Sequence, residues 1–210
     1  MKFDFLLTGP GRSGTTLMWR LLAAHSDMFV SFEPLSGPCG KPRTTETVLG
    51  GKQPLQYAGR DDWSLYYKNY RYIHLERIAP PKILCMRRDI ADVVYSWATR
   101  AGYGLSAPRL KHLKGWAEYS YEYLEEHVAK HNVPLLYVDF DRVCNDTEAV
   151  LREACEFIGV EFEPEMLIKW NEVKVDGRPT IVNYNTDAIQ KPDHSKEDKR
   201  KIFDEVWATL

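Results

Sequence analysis

Residues 3–17 read FDFLLTGPGRSGTTL, and this stretch decides the fold. It opens with a short apolar run, Phe3–Thr8, which ends in glycine and proline as a buried strand does when it meets a turn. From Thr15 to about His25, leucine and alanine recur at helical spacing. The stretch therefore predicts a strand, a glycine-rich loop and a helix, in that order.

The rest of the chain continues the alternation of strands and helices. Further strands are predicted at Phe29–Phe32, Ile83–Met86 and Leu135–Val138. Further helices are predicted at about Trp63–Ile78, Ile90–Arg100, Pro108–His131, Thr147–Ile158 and Lys196–Leu210. This order predicts an α/β fold of three layers, with a central parallel sheet between helices, as in P-loop NTPases.

Two segments lack a clear periodicity. Residues 35–62 are rich in Gly, Pro, Thr and Lys, and we interpret them as a long loop and a candidate substrate lid. Residues 172–210 are polar, and their fold is uncertain apart from the terminal helix. With 210 residues, the chain is expected to form a single domain, 1–210.

Composition excludes several classes of protein. The net charge of −2 and a pI near 6.3 argue against broad binding to nucleic acid or to an acidic membrane surface. No run of about 18 apolar residues and no signal-peptide pattern occurs, so we expect no integral membrane contact and a cytoplasmic location. The four cysteines form no C-x-x-C pair and have no histidine at metal spacing, so zinc is not expected and the thiols are expected to be reduced.

The loop Gly9–Thr16 has the composition of a phosphate cradle. Its glycines allow backbone N–H groups to point inward, its arginine adds a cation, and the helix that follows contributes the positive end of its dipole. The candidate ligand-binding residues are Gly11, Arg12, Ser13, Gly14, Thr15 and Thr16. Thr15 stands where the Mg-ATP-binding P-loop pattern has lysine, which disfavours a kinase. A tight turn that uses glycine only for its geometry is the alternative.

The string RSGTTL at residues 12–17 resembles the 5'-phosphosulfate-binding loop of sulfotransferases that use 3'-phosphoadenosine 5'-phosphosulfate (PAPS). It is most similar to the branch of tyrosylprotein and carbohydrate sulfotransferases, which have arginine where cytosolic members have lysine. The resemblance implies a second element that binds the 3'-phosphate: an arginine at a strand end and a serine eight residues later. Arg88 and Ser96 have this spacing behind the strand Ile83–Met86.

The resemblance covers residues 3–168, with two departures. Asp141 stands where glutamate is commoner, and the R-K-G segment of cytosolic members is missing near the C-terminus.

The resemblance also implies catalytic roles. Arg12 would stabilise the leaving 5'-phosphate, and Glu33, at the end of the second predicted strand, would be the base. A lysine in a K-x-P motif contacts the sulfonate in relatives. Lys68 lies at roughly that place, although Tyr70 replaces the proline, and Lys82 or a solvated lysine is the alternative. The family requires no metal, and His25 corresponds to a structural residue.

We therefore expect a sulfotransferase that moves a sulfuryl group from PAPS to a hydroxyl or amine acceptor. The acceptor is expected to be a small molecule, a lipid or a carbohydrate, and a homodimer stays open. Two alternatives remain: a P-loop nucleotide or small-molecule kinase, and a catalytically inactive nucleotide-binding protein.

Overall fold

A computed structural model describes residues 3–32, 48–52, 75–100, 104–172 and 197–210. In these ranges five parallel strands form one sheet, in the order β2-β3-β1-β4-β5. The strands are β1 (Phe5–Thr8), β2 (Met28–Phe32), β3 (Val48–Lys52), β4 (Ile83–Arg87) and β5 (Leu135–Asp139). The predicted parallel sheet is confirmed.

Helices cover both faces of this sheet. They are α1 (Thr15–Ala23), α2 (Leu75–Ile78), α3 (Ile90–Arg100), α4 (Ala107–His131), α5 (Phe140–Asn145), α6 (Thr147–Ile158), α7 (Met166–Lys169) and α8 (Glu197–Trp207). On one face, Phe5 and Leu7 share a buried core with α1, α6 and α7. On the other, Leu6 packs with Leu75 of α2 and Leu124 of α4. The chain thus has the expected three layers.

Most predicted boundaries agree with the structure to within two residues. The helix α6 ends at Gly159, which has φ of 101° and donates its N–H to the carbonyl of Cys155 at 2.8 Å. This left-handed residue is the helix stop that the sequence predicts. The predicted terminal helix is present as α8.

The prediction of a continuous loop over residues 35–62 is wrong at β3. This strand reads VLGGK, and its two glycines and lysine conceal it. The Phe5 ring of β1 occupies the place where a Cβ on Gly50 would lie, and the Phe3 ring lies 3.3 Å from the place of a Cβ on Gly51. Aromatic rings from β1 and from the residues just before it therefore fill space that side chains of β3 would otherwise fill.

Other predictions fall on residues that the structure does not describe. These are the remainder of the candidate lid (35–47 and 53–62), the first part of the predicted helix at 63–78, and residues 173–196 of the C-terminal segment.

The topology places a switch point at the carboxyl edge of the sheet. From β1 the chain passes to β2 and β3 on one side, and from β4 it passes to β5 on the other. Because β1 and β4 are neighbours, the loops that follow them leave the same edge in opposite directions. Such a switch point is where open α/β sheets bind their ligands.

Candidate active site

The glycine-rich loop after β1 requires glycine at two positions with positive φ. Gly9 has φ of 138°, and a Cβ there would lie 2.7 Å from the carbonyl oxygen of Met86. Gly14 has φ of 100°, and a Cβ there would collide with the Phe140 ring. Because side chains are excluded at both positions, the loop backbone can approach β4 and α5 closely.

The loop presents backbone donors at the start of α1. The first intrahelical bond joins the N–H of Met18 to the carbonyl of Gly14 at 3.1 Å, so the amides of Thr15–Leu17 have no acceptor within the helix. Arg12 has φ of 75°, a left-handed conformation that costs a non-glycine residue energy. A strained backbone and helix amides without an intrahelical acceptor together are typical of an anion-binding loop.

A buried hydroxyl lies in the same loop. The Oγ of Ser13 is inaccessible to solvent and makes no hydrogen bond with the residues that the structure describes. Thr15 beside it is also buried, and Thr16 is half-buried. A buried hydroxyl without a partner is costly, and an anionic oxygen would satisfy it.

Arg88 follows β4 and is held from three directions. Its Nη1 donates to the carbonyl of Arg12 at 3.3 Å, and its guanidinium carbon lies 4.3 Å from the Phe140 ring centroid. Its backbone N–H donates to the Tyr121 hydroxyl, which donates to the carbonyl of Met86, each at 3.2 Å. Burial raises the pKa of Tyr121 well above its ordinary value, so the hydroxyl stays protonated. The Nε of Arg88 is buried and unpaired within the described structure.

The two predicted binding elements meet in the structure. The Nε of Arg12 donates to the Oγ of Ser96 on α3 at 3.1 Å, which joins the loop after β1 to the helix after β4. The indole of Trp97 donates to the carbonyl of Gly11 at 2.9 Å and reinforces this junction. The residues singled out in the loop therefore lie together with Arg88 and Ser96 at the carboxyl edge.

Phe140 belongs to this site, and sequence reasoning missed it. It is the first residue of α5, whose N-terminus is capped by the Asp139 carboxylate through the N–H groups of Asp141 and Arg142, at 2.9 and 3.1 Å. Its ring packs on Gly14 and under the guanidinium of Arg88. The cap is readable in the sequence, but the contact of one ring with both binding elements depends on the sheet order.

Lys52 is a second residue that sequence reasoning missed. It is buried at the carboxyl end of β3, in register with Leu7 of β1. In the sequence it begins Lys52-Gln53-Pro54, a K-x-P string that could have identified it. Lys68 and Glu33, the residues assigned to the sulfonate and to the base, lie outside the described residues, and their roles stay predictions.

The alternative assignment of Lys82 as the lysine that contacts the sulfonate is wrong. Its Nζ donates to the carbonyls of Phe157 and Ile158 at 2.9 and 2.8 Å, at the C-terminal end of α6. Because Lys82 precedes β4, it lies at the amino edge of the sheet, opposite the glycine-rich loop.

His25 has a structural role, as the resemblance implies. Its Nε2 pairs with the carbonyl of Glu161 at 2.8 Å, and its Nδ1 accepts the N–H of Asp27 at 3.0 Å. The side chains of His25, Asp27 and Glu163 lie close enough together to hold a metal ion. Because both ring nitrogens of His25 already have partners, we assign no metal to the cluster.

Two buried cysteines are poor nucleophiles. Burial raises the pKa of Cys85 far above its ordinary value and that of Cys155 to about 11. Neither thiol is therefore ionised near neutral pH. Among the helices of the described ranges, none has the length and apolar character to cross a membrane.

Comparison with known proteins shows similarity in fold. No protein-family profile and no curated protein matches the sequence. A sulfotransferase from Alicyclobacillus acidocaldarius is 16% identical with a TM-score of 0.50, over 82% of this chain and 91% of its own. The sulfotransferase domain from the curacin biosynthetic pathway is 14% identical with a TM-score of 0.57, over 98% of both chains. Mouse sulfotransferase SULT7A1, complexed with PAP, is 13% identical with a TM-score of 0.54, over 99% of this chain and 83% of its own. The chain therefore has the sulfotransferase fold.

Proposed function

We propose that this protein transfers a sulfuryl group from PAPS to a hydroxyl or amine acceptor. One observation carries the proposal: the glycine-rich loop after β1 and the Arg88–Ser96 element after β4 meet at the switch point of the sheet, joined by the bond from Arg12 to Ser96. PAPS carries a 5'-phosphosulfate and a 3'-phosphate on the same ribose, so it needs two neighbouring anion sites. We assign one of these sites to each element, at the edge where such a fold binds ligands.

The loop suits the 5'-phosphosulfate. The amides at the start of α1 that lack an intrahelical acceptor, the buried Ser13 hydroxyl and the Arg12 guanidinium are donors of the kind that hold a phosphate group. The orphaned Ser13 Oγ is the feature that this ligand would explain best, since an anionic oxygen would remove its desolvation cost.

The element after β4 suits the 3'-phosphate. The Nε of Arg88 is buried and unpaired in the described structure. The guanidinium to which it belongs is planar and permanently charged, and it can bind two phosphate oxygens at once. The Ser96 hydroxyl adds a further donor. The fold of mouse SULT7A1, whose structure holds PAP, supports the same class of ligand here.

In the proposed reaction the acceptor attacks sulfur in line with the leaving 5'-phosphate. The acceptor's oxygen or nitrogen forms a bond to sulfur and loses its proton to Glu33, while the bond from sulfur to the bridging oxygen breaks. The electron pair stays on the 5'-phosphate of the product, 3'-phosphoadenosine 5'-phosphate (PAP). Arg12 would stabilise that charge, because cations placed where charge develops lower the barrier.

For the lysine that contacts the sulfonate we propose Lys52 ahead of Lys68. Lys52 follows the run of β3 to the carboxyl edge, beside the strand that leads into the glycine-rich loop. It is also followed by proline at the position that the K-x-P motif requires, whereas Lys68 is followed by Tyr70.

Calorimetric titration with PAP and, separately, with magnesium-ATP tests the proposal. We expect the protein to bind PAP with a dissociation constant at least about 100-fold below that of magnesium-ATP, because Thr15 replaces the P-loop lysine and Arg88 is placed for a 3'-phosphate. Tighter binding of magnesium-ATP would favour the kinase, and binding of neither nucleotide would refute both.

A further inference from the structure

Asp92 on α3 lies between two arginines, and the two contacts differ in length. Its Oδ1 accepts a hydrogen bond from Nη1 of Arg200 on α8 at 2.7 Å. Its Oδ2 lies 3.9 Å from Nη2 of Arg88, which is too long for a hydrogen bond. The carboxylate therefore pairs closely with Arg200 on the C-terminal helix and only weakly with Arg88 of the proposed phosphate-binding element.

Other contacts hold Arg200 in position for its ion pair with Asp92. Its Nε donates to the Asp204 carboxylate at 3.0 Å, one helical turn further on. Its guanidinium carbon lies 5.1 Å from the Tyr95 ring centroid and 5.5 Å from that of Phe203. Phe203 is fully buried between α8 and the helices α3 and α4, so the helix that carries Arg200 is firmly packed.

The competition for Arg88 decides what this arrangement does. A carboxylate beside a phosphate-binding arginine lowers the affinity for phosphate, because it neutralises the cation and repels the anion. Arg200 offers Asp92 a closer partner and cancels its charge. Arg88 meanwhile keeps its Nη1 on the loop carbonyl of Arg12 and leaves its buried Nε unpaired.

We propose that Arg200 is a positioning residue for the nucleotide site. Arg200 neutralises Asp92 and so keeps Arg88 available for the 3'-phosphate. The inference rests on the proposed function, since it assumes that Arg88 binds a phosphate. It gives the C-terminal helix α8 an electrostatic role in nucleotide binding in addition to its packing.

The test compares Arg200→Met, Asp92→Asn and the double variant by calorimetric titration with PAP. Arg200→Met frees Asp92 to pair with Arg88, and we expect PAP affinity to fall about twofold to fivefold. Asp92→Asn removes the competitor, and we expect PAP affinity to rise about twofold to fivefold. The double variant should bind PAP at least as tightly as the wild type. Arg152→Met, which removes an exposed ion pair of the same i,i+4 spacing with Glu148 on α6, should leave affinity unchanged.

A purely structural role makes the opposite prediction. If the Arg200–Asp92 pair only anchors α8, Asp92→Asn weakens PAP binding as Arg200→Met does, and the double variant shows no rescue. Either result overturns the inference, as does unchanged affinity in Arg200→Met. If Arg200→Met does not fold, Arg200→Gln replaces it in the single and the double variant, and the same outcomes decide. Failure of the wild type to bind PAP would refute the proposed function, and the inference with it.

Discussion

At the amino edge of the sheet Lys82 and Ser26 are hydrogen-bonded within the protein, whereas at the carboxyl edge Ser13 and Arg88 each have a buried atom without a partner in the described structure. Lys82 caps α6, and the N–H and hydroxyl of Ser26 both donate to the Glu163 carboxylate. Although burial opposes it, these bonds hold the pKa of Glu163 below its ordinary value. At the carboxyl edge, Ser13 Oγ and Arg88 Nε are buried without a partner in the described structure.

The difference separates what stabilises the fold from what binds a ligand. Paired polar groups at the amino edge contribute to folding, because their hydrogen bonds replace those to water. Unpaired groups and the left-handed Arg12 at the carboxyl edge lower the stability of the fold. Such a cost is retained where function requires it. Substitutions at the two edges should therefore affect stability and nucleotide affinity in different proportions.

The largest effect on both quantities is expected for Gly14→Ala at the carboxyl edge. The substitution forces a side chain into a left-handed residue and against the Phe140 ring, so we expect PAP binding to be lost and the free energy of unfolding to fall by about 1–3 kcal/mol. Urea unfolding and calorimetry measure the two quantities. Gly115→Ala is the control: with open space around it in α4, it should raise the free energy of unfolding by about 0.5–1 kcal/mol. Normal PAP binding by Gly14→Ala would contradict the account.

An intermediate effect is expected for Phe140→Ala. Loss of the ring frees Arg88 and the loop at Gly14 together, and we expect PAP affinity to fall about tenfold. Phe162→Ala is a matched control, because Arg152 also lies 4.3 Å from the Phe162 ring centroid, in a pair outside the proposed site. Both variants should be less stable, but only Phe140→Ala should bind PAP more weakly. Equal losses of affinity would show that Phe140 acts through stability alone.

The smallest effect on affinity is expected for Lys82→Met at the amino edge. It removes both hydrogen bonds to the end of α6, and we expect the free energy of unfolding to fall by about 1–2 kcal/mol. PAP affinity, measured by calorimetric titration, should stay within about twofold of the wild type. The reason is that Lys82 lies at the amino edge, on the opposite side of the sheet from the proposed nucleotide site. Weaker binding with unchanged stability would place Lys82 in the site after all.

The sequence was sufficient where one local signal decides the structure. The loop Gly9–Thr16 is recognisable because a strand, three glycines and a helix start follow each other directly, and Gly159 marks the end of α6 by the same local logic. The spacing of Arg88 and Ser96 is also local, since both lie in one strand-to-helix unit.

The sequence was insufficient where distant strands interact. The strand β3 lacks an apolar pattern of its own because Phe5 and Phe3 occupy its glycine positions, so the K-x-P string at Lys52 lay within a segment predicted to be a loop. Phe140 and Arg200 reach the site only through the order of the strands and the packing of α8. Such contacts have no signature in a single stretch of residues.

The most direct measurement compares the affinities for PAP and AMP, which differ only by the 3'-phosphate, in the wild type and in Arg88→Ala. We expect the wild type to bind PAP at least about 100-fold more tightly than AMP, and Arg88→Ala to reduce this ratio to about tenfold or less, with AMP affinity unchanged. Equal affinity for the two nucleotides in the wild type, or a ratio that Arg88→Ala does not alter, would contradict the assignment of Arg88 to the 3'-phosphate.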